Sequence, residues 1–146
     1  MIEFIITFIL VWIGATVIHE MSHYVIAWHQ KAEPRIEFWL WLGIIPSMRC
    51  RYSKALTNKD TFLYGGGFGA SLICLLLGAL LYPVLCRVYI SLFIVGIMQW
   101  VYGLYEGYYY PRLTIDEYMV WHYGAYLLGL IIGIILLYNE IISYIV

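Results

Sequence analysis

The stretch FIITFILVWIGATVIHEMSHYVIAW, residues 4–28, decides how the chain folds. A helix crosses a bilayer with about 20 mostly apolar residues. This stretch exceeds that length and carries one carboxylate, Glu20, between His19 and His23. Ionisable groups inside a bilayer are costly, which makes each a functional candidate. On a helix, positions i and i+4 share a face about 6 Å apart, so His19 and His23 can offer their imidazoles to one ion. Glu20, one position beyond the first histidine, can reach a water on that ion without filling its coordination site. This is the mechanical content of the HExxH pattern, two zinc ligands and a general base from one helical turn. The plain structural alternative gives both imidazoles to carbonyls of neighbouring helices and either pairs Glu20 with Arg35 or leaves it protonated.

The rest of the composition agrees with a lipid setting. The chain is 64% hydrophobic and 12% charged with a mean hydropathy of +0.83. Soluble domains average roughly 45–50% and about 25%, so the expected class is an integral membrane protein. A net charge of −1 leaves no basic surplus for nucleic acid. Met1, Ile2 and Glu3 lack the basic start of a secretory signal, and no small-residue cleavage site follows, so the first apolar run is expected to remain as a span. Cys50, Cys74 and Cys86 are odd in number and have no CxxC spacing; we expect them unpaired, leaving histidine and carboxylates to hold any metal.

Four segments are long and apolar enough to cross, roughly 4–28, 62–85, 88–108 and 117–138, within one membrane-embedded domain covering 1–146. The long connection 29–61 holds Lys31, Arg35, Arg49, Arg51, Lys54 and Lys59, which makes it cytoplasmic by the positive-inside rule. Both termini then lie on the opposite side and Arg112 returns to the cytoplasmic face, with Arg87 the exception. Within the loop, RIEFWLWLGIIPSMRCRY (35–52) alternates like two short strands, with Ile36, Phe38 and Leu40 on one face, a turn over Gly43 to Pro46, and Met48, Cys50 and Tyr52 alternating with Arg49 and Arg51. The expected fold is an all-α, multi-pass bundle of four transmembrane helices with a cytoplasmic β-hairpin between the first and second.

A catalytic zinc usually has three protein ligands and a water, so another span must supply one at the depth of His19 and His23. Asp116, at the start of the fourth span, and Glu106, near the cytoplasmic end of the third, both qualify. Asp116 also reads as a helix cap, and Glu106 as a residue hydrogen-bonded to nearby tyrosines. Gln99 reads as an amide bridging helices. The run YGGGFGASL (64–72) opens the second span with small residues that allow close helix packing. Its functional reading has Gly66, Gly67 and Ser71 positioning a substrate peptide near the metal.

These residues resemble the site-2 protease group of intramembrane zinc metalloproteases, and the chain looks like a minimal, membrane-core-only member. The family's HExGH motif corresponds to HEMSH here, with Ser22 in place of glycine. Its strand-rich cytoplasmic loop corresponds to 35–52, its Gly-Pro-x-x-Asn element to GGGFGASL, and its proline turn leading to Leu-Asp-Gly to PRLTIDE (111–117). This chain lacks the proline in the glycine stretch, has Ala70 or Ser71 for the asparagine, and has Glu117 for the glycine after the aspartate. The resemblance implies one Zn²⁺ per chain on His19, His23 and Asp116, the spacing from Pro111 favouring Asp116. The alternative third ligand, Glu106, falls instead on the family's Gly-Leu-Phe-Asn element. It implies hydrolysis of a peptide bond in or near a transmembrane segment of a membrane-protein substrate, by zinc-activated water with Glu20 as general base. The hairpin would hold the unwound peptide by strand addition. The alternative function is a non-proteolytic membrane protein that binds metal at the same site or uses it structurally.

Overall fold

Ala15, His19, His23 and Ala27 recur at every fourth position of α1 (Ile2–His29), and they are its buried residues. Four-residue spacing keeps a row nearly in line on a helix, so α1 turns one narrow stripe inward and leaves the rest of its aliphatic surface outside. Leu10 and Val25, for example, are 63% and 57% exposed, whereas His19 and His23 are each 3% exposed. The computed structural model describes the backbone of residues 2–41, 45–82, 86–108, 115–138 and 141–142, and of these the side chains of all but 39–41, 45–47, 86–87 and 115–122.

Past His29 the chain reverses through Lys31 and Glu33, both in the left-handed region at φ 58° and 53°. The Lys31 and Ala32 amides donate to the Trp28 and Ala27 carbonyls, each at 2.9 Å, satisfying the end of the helix. The chain then forms β1 (Pro34–Trp41) and β2 (Ile45–Tyr52). They pair antiparallel with Ile36 opposite Cys50 and Phe38 opposite Met48, which is the alternation the sequence implies. Ile45 and Pro46, expected in the turn, lie in the ladder instead. This register carries the ladder on to Leu40 opposite Pro46 and Trp41 opposite Ile45, so both residues belong to β2. A two-stranded sheet consists of edges only, where proline's missing N–H costs least.

One face of the hairpin is ionic. Glu37 receives Arg51 Nε at 2.9 Å, Arg35 Nη2 at 3.2 Å and Arg49 Nη2 at 3.3 Å. Arg35 is therefore spent on Glu37 rather than on Glu20. The other face packs its base against the helices, where Cys50 joins Ala27, Ala32, Phe62 and Leu63. The buried Ala32 carbonyl accepts from the Ser53 and Lys54 amides at 3.2 and 3.0 Å and fixes the far end of β2.

Asn58 caps α2 (Lys59–Leu81), its Oδ1 accepting from the Thr61 amide at 2.9 Å. Gln30 ties this cap to the end of α1. Its Oε1 accepts from the Asn58 amide at 2.8 Å and its Nε2 donates to the Asn58 carbonyl at 3.0 Å. The clamp sets the glycine-rich turn of α2 beside the histidine turn of α1. Along α2 the buried row Phe62, Gly66, Ala70, Cys74 and Gly78 again steps by four, with Leu63, Gly67 and Ser71 beside it.

The glycines serve different neighbours. A Cβ on Gly69 would strike Ser22, and one on Gly65 would strike Ile26, both on α1. A Cβ on Gly67 would instead meet the backbone of Gly103 and lie 2.6 Å from the Gln99 carbonyl oxygen, so α2 and α3 (Cys86–Tyr108) touch main chain to main chain there. Backbone contact of this kind is what small residues provide between helices in lipid.

α3 packs against α1, α2 and α4 (Ile115–Leu136). Among the described residues it contributes the largest fully buried aliphatic side chains, Ile90, Ile94 and Val95, at 1%, 2% and 0% exposure. α4 approaches it closely, since a Cβ on Gly129 would lie 2.6 Å from the Met98 Cα. Cys50 and Cys74 are free thiols, as expected; the side chain of Cys86 lies outside the described residues.

The protein is thus mostly helical with one small hairpin. Three helices are long and apolar enough to cross a membrane, namely α1, α2 and α3 over Val88–Tyr108, while the described apolar part of α4 is Tyr123–Leu136. Their outer surface differs from that of a soluble bundle. The exterior is aliphatic, and the fully or nearly buried residues include His19, His23, Ser71, Ser91 and Gln99. This distribution identifies a membrane protein.

Candidate metal centre

Three side chains from two helices converge where α1 crosses α3. On α3, Val95, Gln99, Tyr102 and Glu106 follow at intervals of four, three and four, the spacing of one helical face. That face meets the His19–His23 stripe. Glu106 Oε2 lies 3.2 Å from His19 Nε2 and 3.4 Å from His23 Nε2. The two Nε2 atoms are 3.1 Å apart. Among the described residues these are the His, Cys, Asp or Glu side chains grouped closely enough to hold an ion.

The triangle fits a zinc ion. Ligands about 2.0–2.1 Å from a tetrahedral centre are separated by about 3.3–3.4 Å, close to the three observed edges. The protonation pattern fits as well. His19 Nδ1 donates to Gln99 Oε1 at 3.0 Å, because an amide oxygen can only accept, which leaves Nε2 as the lone-pair nitrogen. Glu106 Oε2, His23 Nδ1 and Gln99 Nε2 are buried without a hydrogen-bond partner among the described residues. A proton on His23 Nε2 would bridge one edge of the triangle, whereas a divalent cation satisfies all three corners. The charges also balance, since two neutral imidazoles, Glu106 and Glu20 leave two negative charges for a dication to neutralise in a low-dielectric setting.

Aromatic rings restrain the imidazoles. His23 lies on Phe62 with centroids 4.5 Å apart, and His19 lies 5.3 Å from Tyr102. Gly66 on α2 closes the third side. A Cβ there would collide with His23 Nε2 and lie 2.7 Å from His19 Nε2. Because both rings are buried, neither can swing into open space. Gly66→Ala is therefore expected to lose metal binding and about 1–3 kcal/mol of stability, read by metal content and by thermal unfolding in detergent. Full metal content with an unchanged melting temperature would refute this placement of the glycine.

Glu20 stands apart from the triangle's three corners. Its Oε2 accepts a hydrogen bond of 2.6 Å from the Cys50 amide of β2, so the carboxylate is held by the hairpin. Ser22 donates to the Ile18 carbonyl at 2.8 Å and sits against Gly69. Its volume is thus taken up by a glycine on the facing helix.

Of the residues singled out in the sequence, the structure brings together His19, His23 and Glu106, with Glu20 and Gly66 beside them. Gly67 serves the α2–α3 contact, and Ser71 is buried one turn further along α2. Asp116 is in the first turn of α4, and its side chain lies outside the described residues. Gln99 bridges α3 to α1 as read from the sequence, and its partner is the first histidine. The Cys50 amide has no counterpart in the sequence reading, because a main-chain donor leaves no mark in the identity of its residue.

No family model, curated protein or solved structure matches this chain.

Proposed function

We propose that this chain is an intramembrane zinc metalloprotease of the site-2 protease type, cleaving a peptide bond in or near a transmembrane segment of a membrane-protein substrate. The observation that carries the reading is the buried triangle of His19 Nε2, His23 Nε2 and Glu106 Oε2, with edges of 3.1–3.4 Å beside the carboxylate of Glu20. In this reading α4 is a fourth span, the 29–61 loop is cytoplasmic and both termini lie opposite. Phe38, 80% exposed on the hairpin's apolar face, supports a hairpin resting at the membrane surface.

His19, His23 and Glu106 would hold one Zn²⁺, and the sequence keeps Asp116 as the other candidate carboxylate. When bound, zinc supplies a Lewis acid that makes water a nucleophile near neutral pH. The chain's own residues do the rest. Glu20, one oxygen fixed by the Cys50 amide, takes the water proton on the other and returns it to the departing amide nitrogen. Gln99 keeps His19 in the tautomer that presents Nε2. Gly66, having no side chain, lets α2 pack against both imidazoles without displacing them.

The test is metal content and peptidase activity of the purified chain with a single-span substrate. The expected result is one zinc per wild-type chain, lost in His23→Ala, together with cleavage that follows the metal. Zinc bound without cleavage would leave a non-proteolytic metal protein, and no zinc at all would overturn the site.

A further inference from the structure

The hairpin does more than connect α1 to α2. Antiparallel strands alternate between pairs whose N–H groups point at each other and pairs whose N–H groups point away. The Cys50 amide points at Glu20, so the Ile36–Cys50 pair is of the second kind, and the outer edge of β2 faces the HExxH turn. The donor is rigidly supplied. Cys50 packs with Ala27, Ala32, Phe62 and Leu63, and Tyr52 stacks edge-on to Phe62 at 5.2 Å, so β2 is pinned to the end of α1 and the start of α2. The thiol is chemically quiet by contrast, since burial, helped by the nearby Glu20 charge, pushes it up to about 11. What this position offers the site is its main chain.

We propose that Cys50 is a positioning residue for Glu20, its main-chain N–H fixing one carboxylate oxygen so that the other is free to carry the proton. The hairpin is thereby part of the catalytic apparatus, and moving β2 away from α1 releases the base. The inference rests on the peptidase reading above.

Two measurements on the full chain in detergent test it separately from that reading. In ¹⁵N–¹H spectra, the Cys50 amide of wild type is expected to exchange slowly with solvent, and Glu20→Ala is expected to speed that exchange while the ladder amides keep theirs. In cleavage assays, Cys50→Ala keeps the N–H and is expected to retain a higher kcat than Cys50→Pro. Cys50→Pro removes the N–H without removing a ladder bond. It is expected to lower kcat by about 10–100-fold, the loss of one charge-assisted hydrogen bond, with KM and zinc content unchanged. If Glu20→Ala leaves Cys50 exchange untouched, the contact is refuted whatever the activity. If the exchange responds and Cys50→Pro cleaves like wild type, the positioning role is refuted. If the exchange responds and wild type cleaves nothing, the contact stands and the peptidase reading falls.

Discussion

Glu20→Gln is expected to keep its zinc and to lose about 10²–10⁴-fold in cleavage rate, the range of a general base. The substitution is close to isosteric, and its amide oxygen can still accept the 2.6 Å hydrogen bond from the Cys50 amide, so the turn and the hairpin stay in place. What disappears is a basic oxygen at neutral pH. The three atoms of the triangle belong to His19, His23 and Glu106, so the ligand set is unaltered. Cleavage of a single-span substrate, measured beside zinc content on the same preparation, separates the possibilities. A variant that cleaves at the wild-type rate removes Glu20 from the mechanism, and one that has lost its zinc makes Glu20 a ligand.

Glu106→Gln is expected to weaken zinc binding by more than the about 10–100-fold typical of an outer-shell partner, whereas Asp116→Asn is expected to stay within that range. Among the described residues, the carboxylate of Glu106 is the one that meets both imidazoles, at 3.2 and 3.4 Å. An amide keeps the shape and discards the charge that balances the dication. Competition with a zinc chelator of known affinity gives the constants, and thermal unfolding in chelator shows whether either metal-free variant still folds. If Asp116→Asn strips the metal and Glu106→Gln does not, the third ligand is Asp116, and Glu106 becomes a buried acid beside the site.

The parts of the fold legible in the sequence are those governed by local physics. A run such as 4–28 declares a helix in lipid because length and apolar content alone decide whether a segment can cross. His19, Glu20 and His23 stand out as a candidate site because their geometry is internal to one helical turn. The hairpin was legible from alternation, and its turn was overestimated because Ile45 and Pro46 continue the ladder through pairing with Trp41 and Leu40. Both Asp116 and Glu106 satisfied the depth argument, and depth is all that a hydropathy pattern conveys about a residue on another span.

By itself, then, the sequence determined the apolar helices, the hairpin and the histidine pair with its glutamate, each of which depends on neighbours within a few residues along the chain. Only the tertiary structure decided that Glu106 closes a triangle with His19 and His23, that Gly66 makes room for it, and that the Cys50 amide holds Glu20. The physical reason is that these contacts are set by the rotation of α3 and α2 about their own axes and by a main-chain donor on a strand. Rotation follows from how Gly67 and Gly103 let two backbones meet, and a backbone N–H is the same in every residue but proline.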